Sequence, residues 1–499
     1  IHPDSSLKDK LPHCMSYLNP IKMPLKLAKD ISFLDPACGS MHFGLVAFDI
    51  FMEMYKEELE RVGEDGWPEK PSVGSEEEVP GAIIANNLYG IDIDLRAVQL
   101  SALALFLKAR GNNPICFFSD RNMVCANVEP ILGGNLEDFV RRSSDKHPIL
   151  GKIIKTLAVT LRESDSLGSL IRLEDDLKRL VSEEKRKAVV DRQKSLGLPD
   201  MLDGSFESDK AMNSFFNTLE TEIEKGLDDF VRVSGEKGQV ISRFAHEASK
   251  GLRLLSIVRR KYDVVATNPP YMSSRNLSSV IASFLSNFYP DSKTDLYAAF
   301  ISRCSELTAP YGATAMITQQ SFMFISSYEK MREKLLSNIW TQSMVHLGPH
   351  AFDIVSGEKV NTTAFVLRKE ANDKTRKERE GIFFRLVKGK NAEEKRLAFE
   401  EAVEAWRSGK KHPLVFLAKL SDFEAVPGKP WVYWMPQRLM KLFSKLDLIG
   451  TFAQPRQGLA TADNNRFLRS WWEVGKTRIG FRFSSTDEAK EAKEKWFPY

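Results

Sequence analysis

Residues Tyr262-Asp263-Val264-Val265 are a short run rich in β-branched side chains, and the run ends at Ala266-Thr267-Asn268-Pro269-Pro270-Tyr271. Short apolar runs of this kind read as buried strands. The paired prolines end any ladder, because each fixes φ and lacks an N–H. The motif therefore belongs at the carboxyl end of a strand in an open α/β sheet, where such folds place their sites. It presents rigid carbonyls, one side-chain amide and one aromatic face. That set suits a flat heterocycle carrying an exocyclic amine. The Asn268 oxygen and the Pro269 carbonyl accept from the amine, and Tyr271 stacks on the ring. A plain strand-ending turn is the simpler reading, since Asn-Pro is itself a turn signal.

A second stretch adds to this. Ile31-Ser32-Phe33-Leu34-Asp35-Pro36-Ala37-Cys38-Gly39-Ser40 is another short apolar run, closing in an acidic, proline and small-residue loop before the apolar helix pattern of Phe43–Phe48. Strand, small-residue loop and helix together cradle nucleotide-like ligands. The two motifs in this order resemble the adenine-N6 DNA methyltransferases, over residues 31 to 367. Asn87–Arg96, Phe322-Met323-Phe324 and Gly458–Phe467 are similar to the large methyltransferases of BREX phage-defence systems (the PglX type), with fused type II restriction–methylation enzymes next nearest. The resemblance implies a mostly parallel, Rossmann-like class I methyltransferase sheet of seven strands with an antiparallel last hairpin. It also implies S-adenosylmethionine as cofactor, methyl transfer to adenine N6, double-stranded DNA with a flipped base, and other phage-defence proteins as partners in the cytoplasm.

Residue by residue, the resemblance assigns catalysis to Asn268, Pro269, Pro270 and Tyr271. It places Asp35, Ala37 and Gly39 around the methionine end of the cofactor. Asp92, ending the strand Asn87–Asp94, accepts from the ribose, and Ile93 packs on the adenine. Asn127 and Val128, ending a third strand, approach the adenine amine and ring, although Asn127 also reads as a polar loop residue. Met41 stands where the family has glycine, and is expected to crowd the cofactor and weaken its binding. Arg456 and Arg466, in a Gly-, Asp- and Asn-rich loop, are expected to meet DNA phosphate. Asp94 reads as the N-cap of the following helix, and His42 and Cys38 as packed residues.

A length of 499 residues accommodates two or three domains. The boundaries read as a lead-in over 1–30, a cofactor half over 31–128 and a helical insertion over 129–255. A catalytic half follows over 256–370, then a linker and the start of a recognition region over 371–499. In the insertion, Leu170, Leu173, Leu177 and Leu180, and again Phe216, Leu219, Ile223, Leu227 and Phe230, repeat at helical spacing among balanced charges. Most of the C-terminal tryptophans read as a small core. The net charge of +4 neither demands nor excludes nucleic acid. The five cysteines show no metal-ligand spacing, and there is no apolar run of membrane-spanning length. Both ends read as cut, and no upstream Thr-Pro segment of the family's kind is present. Two other functions share parts of this pattern: a protein glutamine methyltransferase, and a catalytically weak DNA-binding scaffold.

Overall fold

The computed structural model describes residues 26–119, 121–128, 134–146, 148–190, 221–223, 225–226, 238–352, 360–443, 445–447, 449–453, 468–481, 483 and 486–497. Described residues up to Met440 form one compact unit, and those from Lys441 a second. In the first unit β1 (Phe33–Asp35) feeds α1 (His42–Glu60), and β2 (Leu88–Asp92) feeds α2 (Leu95–Asn112) before β3 (Met123–Cys125). The longer helices α3 (Gly134–Lys146), α4 (Pro148–Thr160), α5 (Leu173–Val190) and α6 (Gly238–Val258) then separate β3 from β4 (Tyr262–Thr267). Next come α7 (Ser279–Phe288), α8 (Leu296–Leu307), β5 (Thr308–Gln319), α9 (Glu329–Asn338), β6 (Ile339–Gly348) and β7 (Thr362–Lys369). The unit continues through β8 (Glu380–Arg385), α10 (Ala392–Arg407) and β9 (Val415–Lys419).

Several of the helices start where short polar side chains bind their first free amides. Asp94 caps α2 by accepting from the Arg96 amide, as its place in the sequence suggests. Asp295 does the same for α8, and Asn391 for α10. The strands lie in the order β3-β2-β1-β4-β5-β7-β6-β8-β9. The first five pair in parallel, β7 inserts antiparallel between β5 and β6, and β8 is parallel to β6. The sheet thus has nine strands rather than the expected seven. The additional pair, β8 and β9, comes from residues read above as linker and recognition region.

Side chains alternate across the sheet, as the period of two requires. Leu34 and Val265 enter the large core shared with the insertion, α8 and α9. Phe33 and Ala266 enter a second core against α1 and α2. The insertion is helical among its described residues. Ile223 is buried, and the companions Phe216, Leu219, Leu227 and Phe230 lie outside the described residues. The C-terminal tryptophans do not share one core: Trp431 is buried in the first unit, whereas Trp471 and Trp472 of the second are 70% and 69% exposed. No helix among the described residues is long and apolar enough to cross a membrane.

The insertion is fixed to the catalytic half by one buried cation. Arg303 of α8 is 1% exposed. Its Nη1 lies 2.5 Å from Glu174 Oε1, while Nε and Nη2 donate to the carbonyls of Ser169 (3.0 Å) and Ile171 (2.9 Å). Removing one member of a buried pair leaves the other charged in a dry site, at about 3–5 kcal/mol. Arg303→Met is expected to lose about that much stability in urea unfolding, and Arg303→Met with Glu174→Leu to recover a large part of it.

Candidate active site

The strand order reverses at β1, which has β2 on one side and β4 on the other. This is the switch point at which open sheets bind ligands beyond their carboxyl ends. Asp35, the last residue of β1, is 1% exposed, and its carboxylate accepts from the Ala37 amide at 3.2 Å. Burial raises its pKa to about 7. The Thr267 hydroxyl and the Ala37 amide pull the other way, and the charge of Asp92 adds to the rise. A cation beside Asp35 would restore its charge.

The loop after β1 is held open by its own hydrogen bonds. Asp92, at the end of β2, accepts from the Gly39 amide and the Asp94 amide, both at 2.9 Å. Ser101 of α2 donates to the Gly39 carbonyl at 2.7 Å. Gly39 has φ +51°, and a Cβ built on it meets nothing within 4 Å. The loop therefore carries bare backbone towards unfilled space, the form a close-fitting ligand requires. Ile93 beside it is 48% exposed. The structure thus brings Asp35, Ala37, Gly39, Asp92 and Ile93 together.

Other expected residues are placed differently. Val128 is 1% exposed and packs in the large core, which leaves its side chain no open face for a ring. Asn127 is exposed, and its carbonyl accepts from Lys250 at 2.8 Å. His42 is exposed rather than packed, 2.8 Å from the Ser40 hydroxyl. Arg456 and Arg466 lie outside the described residues. Met41 also departs from expectation. It takes the left-handed conformation (φ +64°) that glycine favours, but its side chain is fully buried in the α1–α2 core, against the bare Cα of Gly44. It fills protein, not the cleft.

On the neighbouring strand β4, Asn268 and Pro270 are exposed, Pro269 is buried and Tyr271 half-buried. The Tyr271 hydroxyl lies 3.0 Å from both Asn268 Oδ1 and the Ile317 carbonyl of β5. One phenolic proton cannot serve two acceptors. Turning the amide half a turn satisfies every group: the amide N–H donates to the phenol oxygen, the phenol donates to Ile317, and Oδ1 stays free to accept a donor from solvent or ligand. The Tyr271 ring stands edge-on to Tyr297 at 6.1 Å, and Asp295 accepts from the Met272 amide at 3.2 Å, which anchors the chain leaving the motif.

Sequence reasoning missed the contribution of the insertion. The Ser169 hydroxyl donates to the Pro36 carbonyl at 2.6 Å, and a Cβ on Gly168 would strike Ile93. The corner that Arg303 pins down therefore borders the cleft. Such a contact joins residues 133 positions apart and leaves no local pattern.

A parallel sheet reversing at β1, an antiparallel β7 between β5 and β6, and a glycine loop beside an Asn-Pro-Pro-Tyr strand end define a Rossmann-like class I methyltransferase fold. Residues 86–352, more than half of the chain, match the model of the Eco57I restriction-modification methylase family. The chain belongs to that family. It is 31% identical over 476 residues to the adenine-specific methyltransferase PglX of Lacticaseibacillus casei, a match covering 95% of this chain and 34% of that protein. It is 28% identical over 510 residues to the adenine-specific methyltransferase BrxX of Escherichia coli, covering 100% and 37%. The chain thus spans about a third of the length of these relatives. Among solved structures, a nuclease-deletion mutant of the Type ISP restriction-modification enzyme LlaGI with a DNA substrate mimic is similar at 12% identity and a TM-score of 0.42, covering 83% of this chain and 26% of that one.

Two expectations follow from this geometry. A carboxyl whose pKa is raised on folding contributes stability present below its unfolded value near 4 and lost as pH rises through about 7. Asp35→Asn, neutral throughout, should therefore gain in Tm over the parent, more at pH 8 than at pH 4. Met41→Gly empties a buried site, where Met→Ala changes cost about 2–5 kcal/mol, partly offset by relief of the positive φ. It should lower stability by roughly 1–4 kcal/mol, with no gain in cofactor affinity by calorimetry.

Proposed function

We propose that this chain is the catalytic core of an enzyme that methylates N6 of adenine in a specific DNA sequence, in phage defence or restriction–modification. The observation that carries the reading is the pairing of the two motifs on adjacent strands, with Leu34 of β1 in register with Val265 of β4. The glycine loop and the Asn-Pro-Pro-Tyr end thereby share one carboxyl edge.

S-adenosylmethionine fits the residues present and supplies an electrophilic methyl group when bound. Asp35 would face its positive charge, Gly39 would admit it closely, Asp92 would offer its remaining lone pairs to ribose hydroxyls, and Ile93 would offer an apolar face. The target amine is a poor nucleophile because its lone pair is conjugated into the adenine ring. Asn268 Oδ1 and the Pro269 carbonyl would accept its two hydrogens and draw the nitrogen towards tetrahedral geometry, which localises the lone pair on nitrogen. No covalent enzyme intermediate is required, and the buried Cys38 thiol, pushed up by burial above its ordinary pKa, plays no nucleophilic part. Bringing adenine to this edge requires flipping it from the duplex, at a few kcal/mol. Stacking on Tyr271 offsets about 1–3 kcal/mol of that.

The relatives' printed names support adenine rather than glutamine as the methyl acceptor. The test is transfer of labelled methyl to duplex DNA by the full chain, beside transfer to glutamine-containing peptides. Label in peptide and none in DNA would reverse the assignment. Asn268→Ala should lower DNA methylation about 10²–10³-fold with the fold intact. Near-parent turnover by that variant would remove Asn268 from the mechanism.

A further inference from the structure

The carboxyl edge that carries Asn268 continues past β5 into strands the motifs do not reach. β6 and β8 run in the same direction as β5, so Gln320, His346 and Arg385 emerge at this edge side by side. Arg385 is paired in register with His346. It is half-buried, and its guanidinium lies 4.7 Å over the ring of Trp434. Its Nε is buried without a hydrogen-bond partner, and among the described residues its side chain makes no hydrogen bond or ion pair. A cation held in place on one face and left unpaired at its donors lacks an anion.

Among the described residues, the surroundings do not supply that anion. His346 donates from Nε2 to Gln320 Oε1 at 2.5 Å and accepts from the Tyr433 hydroxyl at 2.8 Å, an arrangement that fixes a neutral tautomer. Burial, with Arg385 and Lys395 nearby, holds its pKa down to about 4, so it stays uncharged. Lys395 is buried and donates to the carbonyls of Leu347 and Leu386. Lys388 is exposed three residues beyond Arg385. The nearby acid, Glu394, accepts from the Lys390 amide at 2.8 Å and bears on Lys395. Phe324 and His346 pack on Trp434 at 5.6 and 6.0 Å, so the platform under the guanidinium is rigid.

We propose that Arg385, braced on Trp434, binds a backbone phosphate of the DNA duplex whose adenine is presented to Asn268. The inference rests on the reading of DNA as substrate. From β4 to β8 is four strand spacings, roughly 19 Å at about 4.8 Å each. That distance suits a contact to the duplex itself, away from the flipped base. A guanidinium forks onto two phosphate oxygens, fixing register without reading sequence.

The test is duplex binding by the full chain, followed by fluorescence anisotropy over a salt series. Arg385→Met keeps the aliphatic stem on Trp434 and removes the charge. Loss of one phosphate contact should reduce the slope of log K against log salt by about 0.9, and weaken binding by the same factor on duplexes of different sequence. Arg385→Lys keeps the charge but not the fork, and should bind several-fold more weakly with the slope retained. A folded Arg385→Met variant with the parent's slope and affinity overturns the inference. If that variant does not fold, parent-like affinity of Arg385→Lys overturns it instead. A parent chain that binds no duplex at all defeats the DNA reading, which is a different result.

Discussion

Arg303 is the point on which the arrangement of the first unit depends. Its guanidinium is fully buried; its donors meet the Glu174 carboxylate and two carbonyls of the corner between Ser169 and Glu174, and Nη1 also lies 3.6 Å from Glu306 of its own helix. A buried guanidinium is tolerated only when it is neutralised and its donors are engaged. The corner must therefore sit at one distance and one angle from α8. That corner in turn touches the carbonyl of Pro36 and crowds Ile93. An interaction on the far side of the core thus sets one wall of the cleft.

The cleft itself is built mostly of backbone. Gly39, Asp92, Asp94 and Ser101 form a chain of hydrogen bonds that holds the loop without filling it. Asp35 is buried at the bottom with its ordinary acidity suppressed. Tyr271 ties the other strand end to β5 through the Ile317 carbonyl. Both strand ends are held by the protein's own hydrogen bonds, which limits the reorganisation that binding must drive.

Local chemistry made much of this readable. The strand ends at Asp35, Asp92 and Thr267, the cap at Asp94 and the start of α8 all follow from a few adjacent residues. What escaped is what depends on distant neighbours. Met41 looked like an obstruction because the sequence shows a side chain replacing glycine, but it cannot show that the side chain turns into the α1–α2 core. Val128 sits next to a strand end and so resembled a ligand contact, but helices of the insertion cover it. The residues that follow 370 read as a linker out of the domain. They form a short helix (Asp373–Glu378) and then β8, which joins the sheet through lateral hydrogen bonds that leave no mark on the sequence. Arg385 went unnoticed for the same reason, because its unpaired donors and its tryptophan are visible only once β6, β8 and Trp434 are side by side.

The pairing of β1 with β4 also bears on how the chain is made. Ser32 and Asp263 are hydrogen-bonded neighbours 231 positions apart. At the usual synthesis rate of about 5–20 residues per second, the first strand waits roughly 12–46 s for its partner to be synthesised. Until then β1 has one edge unpaired, and Leu34 lacks part of the core it belongs to. Non-local parallel pairings form slowly even when all the residues are present. The helices α3 to α6 emerge during that interval, between the two strands that must pair. Chain order and spatial order differ here: the two strands that must touch are separated in sequence by helices that share their core.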